Sequence, residues 1–168
     1  MTITNDSLKI NVDIIFEEMI EKRLFLITSA LDSLSYTVKI DNLSCKKGNE
    51  NRNLSINFNS IGVTDNKNPK IVQTIPKNGS VVRDQTPKIS ISFDKIMFAG
   101  DVKITMKEVE SNKTIKLIPQ NSAGFTLNYT PQYDLKEFNS YQLIILNDTK
   151  DKNGNQLLEE QIIQFIKL

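Results

Sequence analysis

The C-terminal stretch "YQLIILNDTKDKNGNQLLEEQIIQFIKL", residues 141–168, contains two short apolar runs separated by a polar segment. The runs at 141–146 and 161–166 have the length and the Ile-rich composition of β-strands. Between them, Asn153 and Gly154 tolerate positive φ, and the flanking Asp and Asn side chains can accept hydrogen bonds from nearby backbone N–H groups. The stretch therefore predicts two strands joined by a hairpin connection.

The oxygen-bearing side chains of "DKNGNQL", residues 151–157, also raise the alternative of a calcium loop. Counting from Asp151, oxygen ligands fall at positions 3 and 5 of an EF-hand loop, but the glycine comes at position 4 and Ile162 stands where the loop needs a glutamate. An EF-hand is therefore excluded, and a looser site among Asp148, Asp151 and Asn155 is the weaker alternative. We interpret Asp151, Gly154 and Asn155 as a turn signature and expect no metal there.

Further runs of alternating apolar and polar residues lie upstream of this stretch. They are "KIVQTI" (70–75), "KISISF" (88–93), "VKITMKEV" (102–109), "TIKLI" (114–118) and "FTLNY" (125–129). Turn-rich clusters separate them at short intervals, and no helical period persists. Together with the two C-terminal runs they predict a seven-stranded β-sandwich of about 100 residues.

Several pieces of this segment resemble one known family in their order and spacing. The pieces are "PKIVQTIPKNGS" (69–80), "TPKISISFDKIM" (86–97), "FTLNYTPQYDLKEFNSYQLIIL" (125–146), "DTKDKNGNQL" (148–157) and "IIQFIKL" (162–168). Residues 69–168 thereby resemble the bacterial Ig-like domain of the SbsA type, found in S-layer proteins. The family usually has a glycine in the turn before Tyr141, where this chain has Phe138, Asn139 and Ser140. The resemblance implies a seven-stranded sandwich that serves as a spacer, display or adhesion module, without catalytic residues.

The N-terminal segment has a different period. Residues 13–34, "DIIFEEMIEKRLFLITSALDSL", place their apolar residues at helical spacing and predict one long amphipathic helix. Ile14 and Phe25, eleven residues apart, share a line on the otherwise polar side of that helix, and Arg23 lies within its apolar arc. Because a segment of about 65 residues buries only a small core by itself, we predict an assembly interface at Ile14, Arg23 and Phe25. The alternative is a core helix whose excess apolar residues pack under loops.

After this helix the period becomes two. "YTVKI" (36–40) and "LSINF" (54–58) predict a β-hairpin with a long polar loop, in which Cys45 is an incidental thiol, and "LKINV" (8–12) is a further candidate strand. The Asn-rich stretch "TDNKNPK" (64–70) is the candidate domain boundary. We therefore predict a mostly β chain with two parts: a small α+β assembly or docking segment at 1–65 and the Ig-like sandwich at 69–168.

Composition excludes several kinds of chemistry. The chain has no His and no Trp, which rules out Ser-His-Asp and Cys-His catalysis and His-containing zinc sites. Its net charge of +1 and its dispersed lysines predict no nucleic-acid patch, and no apolar run is long enough to cross a membrane. Adjacent or alternating glutamates are interpreted as exposed faces. These pairs are Glu17–Glu18, Glu108–Glu110 and Glu159–Glu160. We expect no enzyme and no cofactor.

Two functions from different classes fit these features. The first is a structural component of a virion, such as the capsid, neck, tail or baseplate of a tailed phage or phage-like contractile particle, assembled in the bacterial cytoplasm. It is motivated by the missing signal peptide, the spare apolar helix faces and the Ig-like module joined to a helix-hairpin unit. The second is a fragment of an exported cell-surface or S-layer protein. The expected partners are other structural subunits, in a homo-oligomer or a multi-protein assembly, with weak binding to a cell-surface glycan as a further expectation.

Overall fold

The computed structural model describes residues 2–5, 8–10, 12–17, 23–28, 31–43 and 52–168. Every regular element in these residues is a β-strand, so the mostly β class is confirmed. The chain divides into two compact units, Met1–Asp65 and Asn66–Leu168, which we call unit 1 and unit 2.

Unit 1 contains two separate groups of strands in its described part. The strands are β1 (Thr2–Asn5), β2 (Leu8–Ile10), β3 (Asp13–Glu17), β4 (Arg23–Ile27), β5 (Ser35–Leu43) and β6 (Arg52–Asn59). One sheet has the order β2-β1-β5-β6, and β3 pairs with β4. The small core beside the four-stranded sheet includes Ile3, Tyr36 and Val38, and the Tyr36 ring stacks on Phe58 at 5.7 Å between centroids. The predicted hairpin is present, because β5 and β6 pair antiparallel with Val38 opposite Ile56.

The helix predicted for residues 13–34 is wrong over the described residues. β3 and β4 form an antiparallel ladder in which Ile14 lies opposite Leu26 and Phe16 lies opposite Leu24. Both segments are short apolar runs, and such runs fit a strand and a helical turn equally well by periodicity alone. Isoleucine and phenylalanine also favour strands, and the partner strand decides the outcome because it satisfies the backbone hydrogen bonds.

Unit 2 is built from two sheets and is described throughout. Its strands are β7 (Ile71–Ile75), β8 (Ser80–Val82), β9 (Ile89–Phe98), β10 (Ile104–Glu108), β11 (Thr114–Ile115), β12 (Leu117–Pro119), β13 (Ala123–Pro131), β14 (Ser140–Ile145) and β15 (Gln161–Lys167). The sheet orders are β11-β10-β14-β15-β8 and β12-β13-β9-β7. The predicted count of seven strands is not confirmed. β8 is additional, and the run at 114–118 divides into β11 and β12, which join different sheets.

The core of unit 2 lies between its two sheets. Ile89, Ile91 and Leu127 come from one sheet and Leu143 and Ile145 from the other, and all five are fully buried in one cluster. Burial alternates along the strands, as in β14, where every second residue is buried. This alternation is what a sheet with one buried face requires, and it explains why unit 2 could be predicted from periodicity.

Contacts near the two ends of unit 2 determine where the chain enters and leaves it. β8 runs parallel to β15, whereas every other strand pair in the described residues is antiparallel. A turn with Gly79 at φ +76° leads into β8. Asn68 donates from its side chain to the Gln156 carbonyl at 2.6 Å, and the Leu168 N–H donates to the Val82 carbonyl at 2.9 Å. The chain therefore enters beside the turn that precedes β15 and leaves past the other end of β15.

Candidate functional site

The turn between β14 and β15 is organised around one buried carboxylate. Asp151 is only 6% exposed, and its Oδ1 accepts hydrogen bonds from the backbone N–H groups of Asn153 and Asn155, both at 2.9 Å. Its Oδ2 accepts from Lys95 Nζ and from Asn155 Nδ2, also at 2.9 Å each. Lys95 belongs to β9, so this carboxylate ties the turn of one sheet to a strand of the other.

The same contacts decide the chemistry that Asp151 can offer. Burial by itself raises the pKa of Asp151, but the hydrogen bonds from Lys95 and Asn155 outweigh it, and the pKa lies below its usual value. The carboxylate is therefore ionised, and both of its oxygens already accept from protein donors. The described residues include no cluster of three or more His, Cys, Asp or Glu side chains arranged for a metal ion. Asp148, the other acidic residue of the weaker calcium alternative, is exposed.

The backbone of this turn has the geometry of a tight connection. Gly154 has φ +85°, a conformation that is strained for residues with a Cβ atom. The Asp151 N–H donates to the Asn155 carbonyl at 3.0 Å, and an isolated antiparallel bridge links Lys150 to Gln156. The turn signature Asp151, Gly154 and Asn155 thus lies within one turn whose two ends are hydrogen-bonded to each other.

A second buried carboxylate, Glu108 at the end of β10, was interpreted from the sequence as exposed, and that interpretation is wrong. Glu108 is 3% exposed and accepts hydrogen bonds from Ser111 Oγ at 2.5 Å, from Lys136 Nζ at 3.1 Å and from Asn139 Nδ2. The hydrogen bonds from Ser111 and Lys136 lower the pKa of Glu108. Its neighbour Glu110 is exposed, and the Glu110 carboxylate accepts from the Ser140 N–H at 3.3 Å.

Tyr141 contacts the loop that carries Lys136 and Asn139 from the side of the core. Its ring is 1% exposed and stacks on Phe165 at 5.7 Å, and its hydroxyl accepts the Lys136 N–H at 2.8 Å. Burial raises the pKa of Tyr141. A tyrosine at the start of a strand that bonds back to the backbone a few residues upstream is the tyrosine corner of β-sandwiches. Glu108 and Tyr141 together hold the loop that carries Lys136 and Asn139.

The predicted assembly residues lie on two paired strands. Ile14 lies in β3, and Arg23 and Phe25 lie in β4. The ladder register sets Ile14 opposite Leu26 and Phe25 opposite Ile15, so alternation assigns positions 14 and 25 to opposite faces. The described residues of this segment therefore do not form the helical face from which the interface was inferred, and an interface at these residues stays a prediction. The prediction for Cys45 lies outside the described residues.

An open groove of about 630 Å³ runs between β7 and the start of β15. The lining residues are Ile71, Val72, Gln73, Thr74, Lys77, Asn78, Gln161, Ile162 and Ile163. Lys77 is the one ionisable side chain among them, and neither buried carboxylate reaches this groove. None of the described segments is a helix with the length and apolar character needed to traverse a lipid bilayer.

Comparison with known proteins gives one family and a structural neighbour. The family model described as bacterial Ig-like domain matches residues 65–165, which is more than half of the 168 residues. Comparison with curated protein sequences gives no match. Among solved structures, PcoC, a methionine-rich copper resistance protein from Escherichia coli, is similar with a TM-score of 0.47 and 14% identity, over 61% of this chain and 100% of that one.

Proposed function

The chain belongs to the bacterial Ig-like domain family, and from this premise we propose that it is a non-catalytic structural module of a bacterial surface protein. Its role there is to join and space the parts of that protein that lie before and after unit 2.

The observation that carries this proposal is the in-line path of the chain through unit 2. Asn68, near the start of the unit, contacts the turn before β15, and Leu168 contacts the end of β8. The two ends are therefore separated by at least the length of β15, roughly 20 Å at about 3.3 Å per residue. When the polypeptide enters a domain at one end and leaves it at the other, the domain adds its own length between the neighbouring parts. A spacer requires this arrangement.

The buried polar groups support the non-catalytic part of the proposal. A general acid or a nucleophile needs a site at which a substrate atom can reach it. The carboxylates of Asp151 and Glu108 instead accept hydrogen bonds from the turn and loop residues around them. The pKa values of both carboxyl groups are lowered, so they are held as anions that fasten loops.

Of the two settings predicted from the sequence, we favour the cell surface over the virion. The virion hypothesis rested partly on a helix with two apolar faces in residues 13–34, and the described residues there form β3 and β4. The surface setting agrees with the role that the family resemblance implies. Adhesion through a weakly bound glycan belongs to the same proposal, with the exposed loop residues around Tyr133, itself 62% exposed, as its contact surface.

Immunogold labelling of the producing bacterium tests this proposal. Antibodies raised against the full chain are expected to label the envelope of intact cells. Labelling that needs permeabilised cells, or that concentrates on purified phage-like particles, would contradict it. Antiserum depleted with the purified chain is the matched control, since it removes any label that the chain itself does not account for.

A further inference from the structure

Two turns of unit 2 contain the same tripeptide. Lys77-Asn78-Gly79 leads into β8, and Lys152-Asn153-Gly154 lies in the turn before β15. In an Asn-Gly pair the glycine nitrogen can attack the side-chain carbonyl carbon of the asparagine, because glycine has no Cβ atom to hinder the approach. By local sequence the two asparagines are equally reactive, so a difference between them has to come from the fold.

Asn78 is held by β15, which is an interior strand of its sheet. Asn78 Oδ1 accepts the Gln164 N–H at 2.8 Å, and the Gly79 N–H donates to the Gln164 carbonyl at 2.7 Å. Both reacting groups are released only when β8 separates from β15, which also opens the bond from the Leu168 N–H to the Val82 carbonyl. Three hydrogen bonds therefore protect Asn78.

Asn153 is exposed, and its side-chain amide makes no hydrogen bond to any residue that the structure describes. The Gly154 N–H donates to the Asp151 carbonyl at 3.1 Å, inside the same turn. One hydrogen bond therefore restrains the reacting nitrogen, and it opens with the turn alone. Exposed turns open locally at a small cost in free energy, whereas core strands open at a cost close to that of global unfolding.

The reaction at Asn153 needs no reagent other than water. The Gly154 nitrogen forms a bond to Asn153 Cγ, and the bond from Cγ to Nδ2 breaks. Nδ2 leaves as ammonia with the proton from the Gly154 N–H, and a five-membered cyclic imide remains. Water then opens the ring at one of its two carbonyl groups. Opening at Cγ gives aspartate, and opening at the backbone carbonyl gives isoaspartate, in which the chain runs through the side chain.

Either product weakens the turn around the Asp151 carboxylate. Asp151 Oδ1 accepts the N–H groups of Asn153 and Asn155, both at 2.9 Å. Aspartate at position 153 adds a second negative charge two residues from this carboxylate. Isoaspartate adds a methylene group to the backbone between the two N–H groups, so they no longer keep the spacing with which both reach one oxygen. The same turn contacts the chain entry, because Asn68 donates to the Gln156 carbonyl at 2.6 Å.

We propose that Asn153 is a site of spontaneous covalent modification, at which cyclisation with Gly154 yields aspartate and isoaspartate and loosens the turn beside the chain entry. Asn78, in the same tripeptide, is protected by its bonds to β15. This inference goes beyond the joining role and does not rest on it, because it follows from the chemistry of the two turns alone.

Incubation of the full chain at neutral pH and physiological temperature in water enriched in oxygen-18 tests this site. Opening of the ring incorporates one labelled oxygen atom, so mass spectrometry of peptides distinguishes modification during the incubation from modification during digestion. Chromatography separates the aspartate and isoaspartate forms. The same incubation in guanidinium chloride is the reference, because both tripeptides are then free of the fold.

In the folded chain, Asn153 is expected to react roughly 25-fold faster than Asn78, since two more hydrogen bonds open at Asn78 and each corresponds to about fivefold. In guanidinium chloride the two rates should become equal. Unit 2 of the modified chain should melt about 4–8 °C lower, as the loss of one hydrogen bond implies. Asn153→Gln is the matched control, because the longer side chain disfavours the ring, and it should keep its melting temperature through the incubation.

Equal rates at Asn153 and Asn78 in the folded chain would overturn the proposal, as would a folded chain in which Asn153 stays intact while both sites react in guanidinium chloride. A modified chain that melts like the incubated Asn153→Gln variant would show that the turn is not loosened. Each of these results leaves the joining role standing, since immunogold labelling decides that role independently.

Discussion

Replacing Asp151 with asparagine tests whether one buried carboxylate holds the last turn of unit 2 in place. The variant preserves the shape of the side chain and one acceptor oxygen for the N–H groups of Asn153 and Asn155. It places an NH2 group where Oδ2 now accepts from Lys95 Nζ and Asn155 Nδ2. Two hydrogen bonds are thereby replaced by contacts between donors. One of the two lost bonds, the bond from Lys95, is also a salt bridge.

The expected loss follows from these contacts. A hydrogen bond to a charged group contributes about 1.5–3 kcal/mol, and a typical one contributes about 1 kcal/mol. The Lys95 side chain is 17% exposed and also donates to the Lys67 carbonyl, so its ammonium group stays partly solvated and hydrogen-bonded after the Asp151 carboxylate is lost. We therefore expect the free energy of unfolding of unit 2 to fall by about 2–3 kcal/mol. For a unit of about 100 residues this lowers the melting temperature by roughly 10–15 °C.

Urea denaturation at neutral pH, followed by far-ultraviolet circular dichroism, measures this loss for unit 2 within the full chain. Asp148→Asn is the matched control: it makes the same chemical change a few residues away at an exposed position, and its unfolding free energy should stay within about 0.5 kcal/mol of the parent. If Asp151→Asn is no less stable than Asp148→Asn, the carboxylate does not organise the turn, and the structural reading of Asp151 is wrong.

Four further predictions concern polar groups of unit 2. Tyr141→Phe should lower the unfolding free energy by about 1 kcal/mol in urea denaturation, because the Lys136 N–H loses its acceptor, whereas Tyr133→Phe, at an exposed position, should not. Tyr129→Phe should keep or raise stability, because the Tyr129 hydroxyl has no partner within the described residues; a clear loss in the same assay would refute this. Burial raises the pKa of Tyr129 to about 12. Its ionisation therefore leaves the free energy of unfolding unchanged below about pH 10 and lowers it as the pH rises toward 12, which melting curves at alkaline pH measure. The pKa values of Asp151 and Glu108 are lowered, so the stability that these carboxylates contribute is present above about pH 4 and is lost in acid. Asp151→Asn should therefore make the free energy of unfolding depend less on pH in the acid range.

The sequence predicted most of unit 2 because its strands carry local information. Each alternating run predicted between 70 and 166 overlaps at least one strand, since a sheet with one buried face imposes a period of two on its own residues. β8 was missed because three residues, Ser80–Val82, are too few to display a period. The burial of Glu108 was missed for a different reason. Its partners Lys136 and Asn139 lie about 30 residues away along the chain, and the residues next to Glu108 do not indicate that these two will contact it.

The sequence by itself determined the mostly β class, the turn at Asp151 and Gly154, and the family to which residues 65–165 belong, because periodicity, turn chemistry and motif order are all properties of neighbouring residues. Tertiary structure decided the rest. It turned the apolar runs in residues 13–34 into the paired strands β3 and β4, placed β8 beside β15 in parallel, and enclosed two carboxylates among distant donors. The physical reason is the same in each case: backbone and side-chain hydrogen bonds are satisfied by partners far along the chain, and local pattern carries no record of which partner that is.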